Sequence, residues 1–451
     1  MRMGSRAGDT SSRNQTPTRL FVLAYRPPST PSAPALPWRR RGAARPASVR
    51  ALAGYANDIR LNGPVANFYL ASTVVSSNRI SSRQISQNLR HYSIAQPGRF
   101  VTLRTTKHFS GASENEPPVP SPTRDQRPSV RLNQGTYIGT VLAEPEYPRA
   151  VEALLGVSYA KCERLRRAVP LGASGDTLDA SDYGPVCPTA DPSFPSDEHC
   201  LNANVFRPAT AGGNKGVPDA TAESKKVPVL VYFHGGAFNF GRGGDRNLAA
   251  FVAFAKRDLV AVSFNYRLGP LGFLPCGLAA TEGVANIGLL DQRALLQWVQ
   301  RNIGAFGGNE KDVTVMGFSA GAHSHPYASQ LGHHLLSPSS RALFYRAILE
   351  SGAPTARSVL SSTHPRHEAQ FAQFLRHASV SSYSPTQVLP ALRALPLRTL
   401  LQASLATWTE CAPSVQWPFQ PSVDGDGDED SVIPSPPIKT WTSPSLPPPP
   451  P

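Results

Sequence analysis

Short apolar segments alternate with longer amphipathic ones through the central part of the chain. Four short segments are fully apolar or rich in β-branched residues, as buried strands are: residues 227–233, 259–264, 313–316 and 347–349. Helical segments separate them, and this alternation predicts an α/β fold with a mostly parallel central sheet and helices on both faces. Strand-like alternation interrupted by glycine over residues 130–139 predicts a hairpin where the folded domain begins.

The segment between the second and third of these strands shows the clearest helical periodicity. Its apolar residues recur three or four positions apart: Leu289, Leu290, Ala294, Leu295, Trp298, Val299 and Ile303. Polar residues fill the other face: Gln292, Arg293, Gln297, Gln300 and Arg301. The pattern predicts an amphipathic helix that packs on the sheet and ends at the glycines of residues 304–308. The strand that follows leads directly into Gly317.

A candidate nucleophile lies at the end of that strand, where residues 317–321 are Gly-Phe-Ser-Ala-Gly. A strand that turns sharply into a helix places its first turn residue in a strained conformation, and flanking glycines leave room for the turn. Ser319 is then predicted to project its hydroxyl into a cleft as the nucleophile. The amide of Ala320 and the start of the next helix would face an oxyanion. A bare Gly-x-Ser-x-Gly is common by chance, but its position between strand and helix favours the functional interpretation.

A second glycine motif follows the first of the four strands, where residues 234–238 are His-Gly-Gly-Ala-Phe. Two glycines after a strand allow two backbone amides to point into one concavity, where they can stabilise the alkoxide of a tetrahedral intermediate. On its own this motif would more often be a tight turn after a buried strand. Its position 85 residues before Ser319 favours an oxyanion loop.

Together these motifs resemble the type-B carboxylesterase and lipase family, which includes the cholinesterases, and especially its fungal members. The resemblance extends from about residue 130 to about residue 425 through further short motifs at 155–160, 198–202, 265–269, 286–293 and 350–354. It implies an α/β-hydrolase fold and serine carboxylesterase or lipase activity without a cofactor. It also implies that the amides of Gly235, Gly236 and Ala320 form the oxyanion hole around Ser319.

The resemblance assigns structural roles to other polar residues. Arg267 and Asp291 match positions that form a structural ion pair in the family, so we exclude them from the catalytic residues. Phe318 stands where many members have glutamate, and His199 stands where the usual motif has aspartate. Neither change affects the nucleophile. His234 is implied to shape the oxyanion site rather than to act as a base.

The catalytic acid and base have no assigned residues. Acyl transfer by serine needs a histidine base and a carboxylate that orients it, and in this fold the order along the chain is Ser, Asp or Glu, His. In the family the acid follows a Val-Asp-Gly motif, which is residues 423–425 of this 451-residue chain. His364, His367 and His377 match no catalytic position. We therefore expect the acid and base beyond the C-terminus, the C-terminal part of the fold to be missing through a truncated or mispredicted gene, and the chain as written to be poorly active.

The five cysteines are an odd number, so at least one is unpaired within the chain. The resemblance implies a disulfide between Cys187 and Cys200, and it leaves Cys162, Cys276 and Cys411 free. The alternative is five reduced thiols, as expected in a reducing compartment.

Charge is distributed unevenly, because residues 1–127 contain 19 Lys and Arg against 5 Asp and Glu, whereas residues 128–451 contain 26 of each. We expect a basic Ser-, Pro- and Arg-rich leader at 1–127, disordered or transit-like, an incomplete carboxylesterase domain at 128–440, and a Pro-rich tail at 441–451. The leader has the composition of a mitochondrial transit segment, whereas the family and its disulfide suggest secretion, so the compartment stays open.

Neither a nucleic-acid partner nor a transmembrane segment is expected, because the leader contains no recognition motif and the apolar segments are too short to cross a bilayer. No metal site is expected either. The acidic segment 424–430 lacks the glycine and the final glutamate of a calcium loop, and we expect a solvated acidic turn. His323, His325, His333 and His334 have no carboxylate or cysteine at ligand spacing and are predicted to be surface or packing histidines.

The sequence supports two functions. The first is a carboxylic ester hydrolase that acts through a Ser319 acyl-enzyme on a small-molecule or lipid ester. The second is an inactive, truncated or pseudoenzyme α/β-hydrolase that serves as a binding or interaction module. Neither the particular ester nor the oligomeric state follows from the sequence.

Overall fold

The computed structural model describes residues 127–191, 193–209, 226–321, 330–353, 355, 359–414, 416–425 and 431–443. Its strands are β1 (Ser129–Leu132), β2 (Gly135–Ile138), β3 (Thr140–Leu142), β4 (Val151–Ser158), β5 (Thr177–Asp179), β6 (Asn202–Pro208), β7 (Val227–Phe233), β8 (Val260–Phe264), β9 (Gly308–Phe318) and β10 (Arg346–Glu350). Its helices are α1 (Leu248–Phe254), α2 (Gly277–Thr281), α3 (Ile287–Asn302), α4 (Gln330–Leu336), α5 (Pro338–Arg341), α6 (Pro365–His377), α7 (Pro385–Ala394), α8 (Leu397–Cys411) and α9 (Pro437–Trp441).

The main sheet has the strand order β10-β9-β7-β8-β6-β4-β3 among the described residues. Strands β10, β9, β7 and β8 run parallel, and β6, β4 and β3 extend the sheet with antiparallel pairs. The four segments predicted as strands are β7, β8, β9 and β10, which form the parallel part. The predicted hairpin is also present, because β1 and β2 pair antiparallel and join β5 in a small second sheet.

Alternation along the strands explains the two layers that cover the main sheet. In β7, Val229, Val231 and Phe233 belong to one apolar core, which also contains Leu295 of α3. Their neighbours on the opposite face of β7 belong to a second core, which packs against α1. Because successive side chains of a strand point to opposite faces, a fully apolar strand such as β7 has to be covered on both sides.

Helix α3 confirms the predicted amphipathic helix, but the interpretation of its polar face was partly wrong. Gln297 is exposed, whereas Gln292 and Arg293 are buried. The Gln292 Oε1 lies 2.9 Å from a ring nitrogen of His334, and the Arg293 Nη1 donates to the hydroxyl of Ser339 at 3.0 Å. Helices α4 and α5 cover this side of α3, so its polar residues form hydrogen bonds between helices instead of facing water.

Two of the predicted boundaries fall near the ends of the described residues. Residues 1–126 of the predicted leader lie outside them, but Arg127 donates to the carbonyl oxygens of Gly139 and Ile138 and forms an ion pair with Asp179 at 2.6 Å. Arg127 therefore contacts the hairpin. At the other end, Trp441 completes α9, and residues 444–451 of the predicted tail lie outside the described part. None of the described helices is long and apolar enough to span a membrane.

The structure contains the implied disulfide between Cys187 and Cys200, with their Cα atoms 4.9 Å apart. Cys162, Cys276 and Cys411 are buried and free. Burial raises the pKa of the Cys162 thiol to about 11 and that of Cys276 to about 12, so both stay protonated and unreactive at neutral pH.

Candidate active site

Ser319 occupies a tight turn at the carboxyl end of β9. Its φ of 54° is left-handed, which is costly for a residue with a side chain. Two hydrogen bonds support the turn: the Ser319 amide donates to the carbonyl oxygen of Glu350 at 3.0 Å, and the Gly321 amide donates to that of Phe318 at 2.8 Å. A Cβ atom at Gly321 would lie 2.2 Å from the carbonyl oxygen of Phe233, so only glycine allows the turn to pack against the end of β7.

The glycine loop after β7 lies directly against this turn. A Cβ atom at Gly235 would lie 2.8 Å from the carbonyl oxygen of Phe318 and 3.1 Å from the Cβ of Ser319. Gly236 has a φ of 110°, and its carbonyl oxygen accepts the amides at positions 239 and 240, which folds the loop back on itself. Strands β7 and β9 are adjacent and parallel, so the loop that leaves one and the turn that leaves the other meet at one edge of the sheet.

The three backbone amides implied for an oxyanion hole come from this loop and this turn. Within the described ranges, the amides of Gly235, Gly236 and Ala320 donate no hydrogen bond to another described residue. Backbone amides in folded proteins are almost always paired, and amides that have no partner among the described residues can donate to a bound group.

His234 packs beneath the glycine loop. The side chain is buried, and its ring stacks on Tyr266 with a centroid distance of 4.2 Å. The Tyr266 hydroxyl donates to the His234 carbonyl oxygen at 2.8 Å, and the His234 Nδ1 lies 2.8 Å from the carbonyl oxygen of Gly235. Burial lowers the pKa of His234, which keeps the ring neutral. These contacts agree with a residue that shapes the loop.

An aromatic cluster that the sequence did not reveal lies next to the glycine loop. Phe240 packs edge-on against Trp408 at 5.2 Å between ring centroids, and Trp408 lies 5.4 Å from Trp417. Phe240, Trp408 and Leu405 line the same groove. The Asn239 side-chain amide donates to the carbonyl oxygen of Pro418 at 3.2 Å, so the segment that carries Trp417 is tied to the loop. No motif marks these aromatic residues, because Trp408 of α8 and Trp417 lie more than 160 positions after Phe240 in the chain.

The histidines that follow Ser319 have partners on α6 and its neighbours. His364 caps α6 and accepts the amide of Arg366 at 3.2 Å, and His367 is buried with a ring nitrogen 2.9 Å from the carbonyl oxygen of Ser361. The His377 Nε2 lies 3.0 Å from a carboxylate oxygen of Glu410 on α8. These contacts assign neither a base nor an acid to Ser319, and both roles stay unassigned.

Two of the four histidines that follow the Gly-x-Ser-x-Gly motif most closely are described by the structure, and both are packing residues. His333 and His334 are buried, so of the two predicted alternatives the packing one is right for them. Burial lowers the pKa of His334 to about 3. His323 and His325 lie outside the described residues. Within the described part of the chain, no group of three or more His, Cys, Asp or Glu side chains is arranged to hold a metal ion.

The predicted solvated acidic turn over residues 424–430 can be checked at Asp424, and there the prediction is wrong. Its carboxylate accepts the Asn286 side-chain amide at 3.0 Å, the Ser431 hydroxyl at 2.5 Å, and the amides of Val432 and Ile433 at 3.2 and 2.9 Å. A half-buried carboxylate with four donors organises the chain around it, which composition alone does not indicate. Residues 426–430 lie outside the described part.

Arg267 and Asp291 form a buried, bidentate ion pair. The Arg267 Nε and Nη2 donate to the two carboxylate oxygens at 2.7 and 2.6 Å, and Nη1 donates to the carbonyl oxygens of Glu163 and Arg166. The pair joins the loop after β8 to α3 and to the segment after β4. Its donors and acceptors are occupied by the protein itself, as expected of a structural pair.

Comparison with known proteins gives the same family that the motifs resemble. Residues 126–448 match the model of the carboxylesterase family. A secreted lipase of Gibberella zeae is 35% identical over 303 residues, which cover 64% of this chain and 52% of the lipase. A para-nitrobenzyl esterase of Bacillus subtilis is 37% identical over 237 residues, which cover 49% of this chain and 43% of the esterase. The chain thus spans about half the length of these relatives.

Solved structures show the same fold. A para-nitrobenzyl esterase structure matches with a TM-score of 0.55 and 33% identity, covering 69% of this chain and 60% of the esterase. The α/β-hydrolase fold is therefore confirmed, and the enzyme class of the family is that of serine carboxylesterases and lipases. By its motifs, its fold and these matches, the chain belongs to the carboxylesterase family.

Proposed function

We propose that this chain hydrolyses carboxylic esters through an acyl-enzyme formed on Ser319. The observation that carries the proposal is the contact between the glycine loop and the serine turn, where a methyl group on Gly235 would collide with the Phe318 carbonyl oxygen and press on the Ser319 Cβ. We infer that this contact brings the Ser319 hydroxyl close to the amides of Gly235, Gly236 and Ala320, at the edge of the sheet where β7 and β9 end. A nucleophile beside several amide donors is the arrangement that acyl transfer requires.

In the proposed reaction, the Ser319 Oγ attacks the ester carbonyl carbon and its proton passes to a base that we do not assign. The carbonyl oxygen becomes an oxyanion that accepts hydrogen bonds from the amides of Gly235, Gly236 and Ala320. Each such donor stabilises the transition state by about 3 kcal/mol. The alcohol then leaves with a proton, and water attacks the acyl-enzyme to release the carboxylic acid and restore the serine.

The proposed substrate is an uncharged small-molecule or lipid ester. Phe240, Trp408 and Leu405 supply an apolar wall close to the oxyanion loop, which favours an apolar group on the substrate. The names of the relatives, a lipase and an esterase of a para-nitrobenzyl substrate, agree with this class.

Labelling with a fluorophosphonate probe, followed by hydrolysis of a short-chain aryl ester, tests the proposal. Ser319→Ala should abolish labelling and any turnover. Ser351→Ala is the matched control, because Ser351 also has a left-handed φ at the end of the neighbouring parallel strand, and this variant should keep both. A folded wild-type chain that shows neither labelling nor turnover would contradict the proposal and favour the non-catalytic binding module.

A further inference from the structure

Arg246 lies across the carboxyl ends of three adjacent parallel strands. Its Nη2 is 2.8 Å from the carboxylate of Glu350 on β10. Its guanidinium carbon lies 4.8 Å from the ring centroid of Tyr232 on β7 and 5.8 Å from that of Phe318 on β9. Arginine suits this position, because its planar group can stack on aromatic rings while it donates to a carboxylate.

Glu350, which forms the ion pair with Arg246, also supports the turn that carries Ser319. Glu350 pairs with Phe318 in the sheet register, and its carbonyl oxygen accepts the Ser319 amide at 3.0 Å. That hydrogen bond restrains a turn whose φ of 54° is strained. Among the described residues β10 is the last strand on its side of the sheet, so β9 is its only strand neighbour there. Besides this pairing with β9, the ion pair between the Glu350 carboxylate and Arg246 also holds the end of β10.

We propose that Arg246 and Glu350 are positioning residues for the nucleophile: their ion pair fixes the end of β10 so that the Glu350 carbonyl oxygen holds Ser319 in its turn. This inference rests on the proposed role of Ser319. Neither residue touches the reacting atoms in the proposed mechanism. Both side chains are about one-third exposed, and such ion pairs contribute little to global stability, so the effect of breaking the pair should be local.

Amide hydrogen exchange, resolved at the peptides around Ser319, tests the positioning role on the full chain. The variants are Arg246→Met and Glu350→Ala, with Arg246→Lys as the conservative form. Arg346→Ala is the matched control. It breaks the ion pair between Arg346 of β10 and Asp312 of β9, which joins these two strands away from the Ser319 turn. Thermal unfolding of each variant separates local loosening from global loss of stability.

The Ser319 amide should exchange about tenfold faster in Arg246→Met and in Glu350→Ala, with the interior of β9 unchanged. Arg246→Lys should recover part of this protection, and Arg346→Ala should leave it within about twofold of wild type. The double variant Arg246→Met with Glu350→Ala should be no faster than either single variant, since both remove the same contact. The proposal would be overturned if the exchange rate of the Ser319 amide stayed unchanged. It would also be overturned if the exchange rates rose equally along the whole of β9.

The phosphonate probe then separates the two proposals. Where Ser319 reacts in wild type, its labelling rate should fall in Arg246→Met and Glu350→Ala by about the same tenfold factor, with little change in probe affinity. Where Ser319 does not react even in wild type, the proposed function fails. The exchange measurement needs no catalysis, so it still decides whether the ion pair positions the turn.

Discussion

Two neighbouring strands of this sheet end in almost the same way, and only one of the two ends is a candidate active site. Strands β9 and β10 are parallel, their last residues are paired, and each is followed by a serine with a left-handed φ, 54° at Ser319 and 58° at Ser351. Ser319 lies half-buried against Gly235, whereas Ser351 is exposed.

The difference shows that a strained serine at a strand end does not by itself make a site. The loop of the adjacent strand β7 would supply the proposed donors at Ser319, and close packing of glycine brings that loop into contact with the serine turn. Ser351 follows β10, whose one strand neighbour among the described residues is β9. We therefore expect the surroundings of the serine, more than its own backbone, to define its chemistry, and four changes test this in order of decreasing expected effect on Ser319.

Gly321→Ala should have the largest effect. The added methyl group would lie 2.2 Å from the carbonyl oxygen of Phe233, so the backbone of the Ser319 turn has to move. We expect a loss of about 3 kcal/mol in the free energy of unfolding, and complete loss of phosphonate labelling. Urea unfolding measures the loss in the free energy of unfolding, and reaction with the phosphonate probe measures the loss of labelling. Gly175→Ala is the control, because a methyl group there meets nothing within 4 Å, and a comparable loss in that variant would contradict the packing argument.

Gly235→Ala should separate reactivity from stability. Its methyl group would press on the Phe318 carbonyl oxygen and the Ser319 Cβ, which should force the glycine loop away from Ser319. The rate of Ser319 phosphonylation should fall about 10²-fold, the usual effect of losing one oxyanion donor. Gly304→Ala, where the nearest atom is 3.5 Å away at the end of the Lys226 side chain, should retain the wild-type rate. Equal rates for Gly235→Ala and wild type would show that the loop does not serve Ser319.

Removal of the disulfide should lower stability and leave both serine turns intact. The bridge between Cys187 and Cys200 closes a short loop, and its loss should cost about 3 kcal/mol in the free energy of unfolding. The double variant Cys187→Ser with Cys200→Ser should unfold at lower urea concentration but label at Ser319 at the wild-type rate while folded. Wild-type protein treated with a reductant should match it. A tenfold slower labelling of the folded variant would instead connect the bridge to the site.

Acid should destabilise the helices that carry His334 and His367 over different pH ranges. Burial lowers the pKa of His334 to about 3 and that of His367 to about 4, from an ordinary value of 6.5. His334 lies on α4, whose Leu331 amide donates to the carbonyl oxygen of Gly321, whereas His367 lies on α6, which follows Ser351 along the chain. Below pH 6.5 the unfolded chain binds a proton at each histidine and the folded chain does not, so acid favours unfolding.

Stability should therefore fall as the pH drops from 6.5, by about 1.4 kcal/mol per pH unit for each histidine. The loss should level off near pH 4 for His367 and near pH 3 for His334. Urea unfolding between pH 7 and pH 4.5 measures the slope, which His367→Gln and His334→Gln should each make shallower. An identical slope in these variants would show that the two imidazoles are not neutral in the folded protein.

Local sequence patterns were sufficient for the parts of this molecule that form from neighbouring residues. The apolar segment that predicts β7 coincides with the strand at Val227–Phe233, and the helical periodicity gave α3 within a few residues. The Gly-x-Ser-x-Gly motif correctly located a strained turn at Ser319, because the glycines that permit the turn are adjacent to it.

Long-range packing accounts for what the sequence did not reveal. Gln292 and Arg293 were assigned to a polar face, but their partners are on helices more than 40 residues later, which periodicity cannot indicate. Arg246 and Glu350 are 104 positions apart and meet only because β7, β9 and β10 end side by side. Phe240, Trp408 and Trp417 meet in the same way, through the packing of α8 against the glycine loop.

The two outermost strands of the main sheet also affect how copies of the protein behave toward one another. Among the described residues these strands are β3, with only three residues, and β10, in which the exposed Ile348 lies between Arg346 and Glu350. An unpaired strand is a template for strand addition by a second chain, and short length and charged ends both oppose it. We therefore expect Arg346 and Glu350 to oppose pairing of β10 with a second chain, and substitutions that remove either charge should lower the concentration at which the protein aggregates.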